Sequence, residues 1–171
     1  MPETPQQYKD RILATLGDRD PLLVLEETPS KLAELVKAQP ADALTRRPAP
    51  DKWSVTEILA HLADAEMVLG FRVRLMLGQS GVPIQAFDQD VWAGFSRYDR
   101  IPAAESMERI TVDRHANLRL LRSLSPEQLQ QHGVHTERGH ETVDHVLKMW
   151  AGHDLNHRGQ VQRILGKLAA A

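Results

Sequence analysis

The chain of 171 residues contains no cysteine. That excludes disulfides, thiolate metal ligands and a cysteine nucleophile, so any thiol chemistry has to arrive with a substrate. Aromatic residues make up only 5% of the sequence. No run approaches the ~18 apolar residues of a membrane span, and the first residues, Met1 to Tyr8, lack the charged and apolar segments of a secretory leader. A soluble cytoplasmic protein is expected. Charge of one sign is also lacking: the formal net charge is −2 and the pI is near 6.4, with the arginines scattered along the chain. There is no basic field for a phosphate backbone, so neither nucleic acid nor a membrane is expected as a partner. The length suits one domain with a real core.

Strand signals are lacking as well. No segment alternates with period two for long enough to need a strand, and there are no internal repeats or low-complexity stretches. What remains is helical. Thr4 with Pro5 starts a short amphipathic segment through Ile12 and Leu16, stopped by Gly17, which reads as an N-terminal extension over residues 1–19 outside the main domain of residues 20–171. Asp20-Pro21 opens the first bundle helix, about 21 to 38, with the stripe Leu22, Leu25, Leu32, Leu35 and Val36; Thr28-Pro29 is a second N-cap and N1 pair, so a break or kink is expected near Pro29. A capping box at Ser54 and Glu57 opens the second, with Trp53 stapling onto Ile58, and Gly78 closes it. The third runs from about Pro102 to Leu124, with a turn at Ser125-Pro126, and the fourth from Thr142 to about Leu165. The fold class is all-α, a four-helix bundle. The connection of residues 79–101, between the second and third helices, is too long for a bundle turn. It holds Phe87, Trp92, Phe95 and Tyr98, and it makes Phe87, Asp88, Asp90 and Trp92 candidates for a pocket wall.

The informative chemistry lies in His153-Asp154-Leu155-Asn156-His157. Four residues of helix turn about 400° and rise about 6 Å, which stacks the two imidazoles on one face. His157 falls inside the apolar stripe Val143, Leu147, Trp150, Val161, Ile164, Leu165 and Leu168, and His153 lies at its margin. A lone inward histidine is more often a satisfied core residue than a ligand; two at this spacing reverse that balance. The Glu that follows the first His in metalloprotease helices is absent, its place taken by Asp154, so that mechanism is not implied. A third ligand is needed, and His61 is the best placed, on the margin of the second helix's stripe of Ile58, Leu62, Ala65, Leu69, Val73 and Met76. His115 and His145 read as solvent-facing. His132, His135 and His140 fall in the glycine-bearing stretch Gln131 to His140, which reads as loop.

With those residues in place the chain resembles the DinB/YfiT-like superfamily, metal-site proteins built as four-helix bundles. The resemblance rests on Arg47 to Val55, His61-Leu62-Ala63-Asp64-Ala65-Glu66, Phe87-Asp88-Gln89-Asp90-Val91-Trp92, and His153 to His157 with Gln160 following. It spans the chain from about residue 20 onward and implies that His61, His153 and His157 form the family's metal triad. Activities in the family include thiol-dependent S-transfer and a thiol-dependent isomerisation, other members are named hydrolases, and many have no known activity.

Three neutral imidazoles leave a divalent ion its full charge and an open position, which lowers the pKa of a bound thiol or water. Zinc and nickel are the expected ions, although imidazoles suit copper and iron too. The leading reading is a metal-dependent, S-transferase-like enzyme that activates a low-molecular-weight thiol towards an electrophile. The alternatives are a hydrolase using metal-bound hydroxide with Asp64 or Asp154 assisting, and a non-catalytic metal-binding bundle. Asp154 lies about 100° around the helix from His153 and is expected to orient an imidazole or a neighbouring side chain rather than meet a substrate. Gln160, one turn past His157, offers only hydrogen bonds. No residue is assigned a catalytic role, and a homodimer is compatible with the sequence.

Overall fold

The computed structural model describes the backbone of residues 3–169 and the side chains of residues 3–166. Met1, Pro2 and the Leu168 side chain, used in the sequence reading, lie outside the described residues. The chain runs α1 (Pro5–Leu16), α2 (Pro21–Val36), α3 (Ala41–Thr45), α4 (Val55–Gly78), β1 (Val82–Ile84), α5 (Gln89–Phe95), a 3-10 turn (Tyr98–Arg100), α6 (Ala103–Leu121), α7 (Pro126–Leu129), β2 (His132–His135), β3 (Gly139–Thr142) and α8 (Val143–Ala169). The four long helices form the bundle: α2 packs on α8 and α6, and α4 packs on α6 and α8.

The expected helix starts are present. Asp20 accepts hydrogen bonds from the Leu22 and Leu23 amides at 2.8 and 3.3 Å, with Pro21 filling the position whose N–H is not needed. Ser54 and Glu57 form a reciprocal capping box, and the Glu57 carboxylate also holds Arg47. Thr142 Oγ1 accepts from the His145 amide at 3.1 Å and starts α8. The first half of α4 is buried all round rather than along one stripe, because every residue from Val55 to Glu66 is covered.

Three expectations are corrected. Of the break or kink expected near Pro29, the break does not form: α2 is one continuous helix with Pro29 inside it, and Thr28, expected to cap a second segment, is buried with its hydroxyl donating to the Val24 carbonyl at 2.8 Å. A proline cannot donate to the carbonyl four residues back. The Leu25 carbonyl freed in this way accepts from Arg114 Nη1 of α6 at 2.5 Å. Tertiary structure thus replaces the bond that the helix loses.

The N-terminal segment is not an extension outside the bundle. Helix α1 lies along α8 with Ile12 fully buried and Leu16 3% exposed, each contributing about 1.5–3 kcal/mol through burial. Close approach requires Gly152, because a Cβ there would run into the Ile12 carbonyl. The third correction concerns strands. A small sheet exists in the order β1-β2-β3, with Val82 to Ile84 parallel to Gly133 to His135, and His132 to His135 antiparallel to Gly139 to Thr142. It ties the long connection to the segment before α8. The strands are three or four residues long and one contains Pro83, too short for a period to show. Inside the connection, α5 and the 3-10 turn supply further structure.

A buried polar layer crosses the bundle. Arg114 is 3% exposed and donates to both oxygens of Glu66 on α4, while its Nη2 lies 2.8 Å from Asp154 Oδ2 on α8. Burial pushes the Glu66 and Asp154 carboxyls above their ordinary values despite Arg114. Burial also opposes the Arg114 charge, but the two carboxylates outweigh it and hold the guanidinium protonated. Asn117 adds a 3.1 Å bond to Glu66.

Candidate metal centre

His61 projects from α4, and His153 and His157 from successive turns of α8. The three residues offer nitrogens that all lie within 4.8 Å of one another, and no other histidine or carboxylate joins them among the described residues. His61 Nε2 is 3.0 Å from His153 Nε2, which is 3.1 Å from His157 Nε2. Three nitrogens at about 2.1 Å from one ion stand roughly 3.0–3.4 Å apart, depending on octahedral or tetrahedral angles. Two of the three separations fall in or at the edge of that range and the third pair lies within 4.8 Å, an arrangement that can close on one ion as a facial three-imidazole site.

The environment suits a cation only if the rings are neutral, and they are. Burial, then the neighbouring imidazole charge of His157, pushes His61 well below its ordinary pKa; burial does the same to His153, reinforced by His157 and His61. His157 is lowered to about 4, chiefly by burial. Neutral rings present lone pairs. Gln160 Oε1 sits 2.8 Å from His157 Nδ1; an amide oxygen only accepts, so the ring proton is on Nδ1 and Nε2 is left bare for a metal. His61 Nδ1 and His153 Nδ1 are buried without a partner, so only one of the three rings is oriented by a hydrogen bond among the described residues.

Two clefts border the cluster. One, of about 320 Å³, touches His61 and His153 and is lined by Phe87, Arg72, His135 and Trp150 among others. The second, of about 550 Å³, reaches His157 and Gln160 past Trp53, Gln89 and Asp90. The sequence candidates divide accordingly. Phe87 lines the first cleft and Asp90 the second. Asp88 is exposed and spends a carboxylate oxygen capping α5, accepting from the Asp90 and Val91 amides at 2.9 and 3.0 Å. Trp92 backs the wall, its ring 4.8 Å from Phe87.

Neither carboxylate considered as an assisting base is free. Asp64 accepts from Tyr98 Oη and Arg109 Nη2, both at 2.6 Å, and Asp154 faces Arg114. Asp154 therefore orients the bundle's buried cation rather than an imidazole.

His135 was expected in a loop and is instead a strand residue 2% exposed in the first cleft, with its pKa lowered to about 4 by burial and by Arg138 and Arg72. His145, expected in solvent, is half-buried, and burial lowers its pKa. His115 is exposed as expected. Sequence reasoning missed Arg72; the available signal was its place eleven residues, about three helical turns, after His61.

No described helix is long and apolar enough to cross a membrane. Several bacterial proteins are similar to this chain and carry the name "putative metal-dependent hydrolase". One from Oceanobacillus iheyensis is 27% identical over 64% of this chain and 63% of its own length. Another from the same organism is 24% identical over 81% of this chain and 79% of its length. YfiT of Bacillus subtilis is 23% identical over 92% of this chain and 90% of its own. The solved structure of YfiT, described as a four-helix bundle of unusual topology, superposes with a TM-score of 0.77 at 23% identity, covering 95% of this chain and 90% of that one. The model of the DinB superfamily matches residues 24–161, most of the bundle including all three histidines, and the chain belongs to that superfamily.

Proposed function

We propose that this protein is a metal-dependent enzyme of S-transferase type that activates a low-molecular-weight thiol at His61, His153 and His157. The observation that carries the reading is the convergence of three neutral imidazoles, two of them buried and one half-buried, beside two clefts, with no carboxylate joining the group among the described residues. A divalent ion held there, which we take to be zinc or nickel, would supply Lewis acidity that lowers the pKa of a thiol or water. Water attack usually also needs a positioned base, and Asp64 and Asp154 are both committed to cations. A thiol needs none: its proton leaves to solvent, the carbon–sulfur bond forms, and the leaving group departs with its bonding electrons.

The protein's own part is to hold the rings, to fix the His157 tautomer through Gln160, and to shield the centre with Phe87 and Trp53. Two clefts meeting at one cluster give separate room for a thiol and an electrophile. Metal-dependent hydrolysis is the second reading, favoured by the names of the similar bacterial proteins. Incubating metal-loaded protein with a panel of thiols and a chromogenic electrophile, and separately with ester and amide substrates, divides the two. Thiol-dependent turnover supports S-transfer, and ester or amide cleavage without thiol transfers the assignment to hydrolysis.

A further inference from the structure

Arg72 is 93% buried by its 7% exposure, yet it pairs with no carboxylate among the described residues. Its one hydrogen bond goes to the Gln85 carbonyl at 2.5 Å, and its guanidinium lies 5.6 Å from the Phe87 ring centre. A guanidinium has five N–H donors and stays charged, so a buried one without a counter-ion carries an uncompensated cost. The surroundings sharpen the point. Burial, then Arg138, depresses Arg72 to about 10. The acids that could neutralise it are engaged elsewhere: Glu141 with Arg138 at 2.6 Å and Glu3 with Arg11 at 2.8 Å. Glu137 is exposed at the rim and forms no ion pair with Arg72.

A second orphan stands on the same wall. His135 Nδ1 accepts from the Glu137 and Arg138 amides at 3.2 and 3.4 Å, which places the ring proton on Nε2, and that nitrogen is buried without an acceptor. The wall thus holds unspent donors on both Arg72 and His135. Between it and His61 the cleft is apolar, with Ala65, Leu69, Met149 and Trp150.

We propose that this cleft binds an elongated apolar carboxylic acid, its carboxylate on Arg72 and its far end at the histidine cluster. Helix geometry sets the length. Eleven residues of α4 rise about 16 Å between His61 and Arg72, and the arginine side chain leans back toward the helix N-terminus, leaving roughly 10 Å for the ligand. An Arg–carboxylate pair in a desolvated cleft is favoured by charge and by two parallel hydrogen bonds. The proposal names the substrate class of the histidine centre and rests on that reading for the acid's role in a reaction, but not for its binding.

The test uses 4-phenylbutyrate and its uncharged amide, 4-phenylbutanamide, titrated into isotopically labelled zinc-loaded protein and followed by NMR. The acid is expected to shift the Arg72 Nε–H and Trp150 indole signals, and to bind about tenfold or more tightly than the amide, the loss for a missing partner of a charged donor. Arg72→Met should erase the preference and Arg72→Lys keep part of it. If Arg72→Met does not fold, the acid-over-amide ratio at the wild-type Arg72 signal decides alone. Equal binding of acid and amide, shifts located away from Arg72, or no binding overturns the proposal. A repeat on His157→Ala separates the two readings. Acid binding kept there places the carboxylate on Arg72 whatever the ion does, whereas binding lost with the ion and unaffected by Arg72→Met assigns it to the metal and overturns the proposal.

Discussion

At His157 sequence spacing, burial and hydrogen bonding act on one ring. The i, i+4 repeat puts it over His153, burial keeps it neutral, and Gln160 fixes which nitrogen faces the cluster. His157→Ala is expected to abolish metal binding while leaving far-UV circular dichroism largely unchanged, because the apolar stripe of α8 remains. Gln160→Ala should retain the fold and weaken metal affinity about 10-fold or more, the usual effect of removing a partner that orients a ligand; competition with a chelator of known affinity measures it. The histidine triad was legible because ligand spacing on a helix is a local property. Arg72 and His135 were not, since neither an arginine on a helix nor a histidine between glycines shows from sequence whether its donors find acceptors. Only the fold reveals that Glu141 and Glu3 are engaged elsewhere.

Among the elements, α1 and α2 show where local signals stop. The caps at Asp20, Ser54 and Thr142 set the starts of three helices and were readable from residue type alone. Whether α1 docks depends on a glycine 136 positions or more away from any residue of that helix, and whether Pro29 breaks α2 depends on Arg114. Gly152→Ala is expected to destabilise the protein by about 1–3 kcal/mol through overpacking against Ile12, despite alanine's better helix propensity. Gly159→Ala in the same helix is the control: its Cβ would meet only the mobile end of Arg163 at 3.3 Å, so its denaturation midpoint should hold or rise. Arg114→Met strands the Glu66 and Asp154 carboxylates and the Leu25 carbonyl. A loss of about 3–5 kcal/mol is expected in urea unfolding, narrowing as pH falls and the two carboxyls take up protons.

For the whole molecule, the buried neutral histidines link folding to pH. Their ordinary pKa is 6.5, whereas His157 and His135 are lowered to about 4 in the fold, and His61 and His153 are lowered well below the ordinary value. The unfolded chain binds protons first, so the stability of the metal-free protein should be full above pH 6.5 and fall as the pH drops from there to about 4; thermal melts across that window check it. Metal should raise the melting temperature by mass action, and most strongly where the imidazoles stay unprotonated. The bundle was legible as a whole from four helical segments, three of them with readable caps, while the small sheet escaped because strands of three or four residues leave no period to read. The central claim is that His61, His153 and His157 together hold one divalent ion. Calorimetric titration of zinc or nickel into tag-free protein at neutral pH tests it most directly: the account predicts one ion per chain, lost in each of His61→Ala, His153→Ala and His157→Ala. Binding that survives all three replacements, or no binding by the wild type, would contradict it.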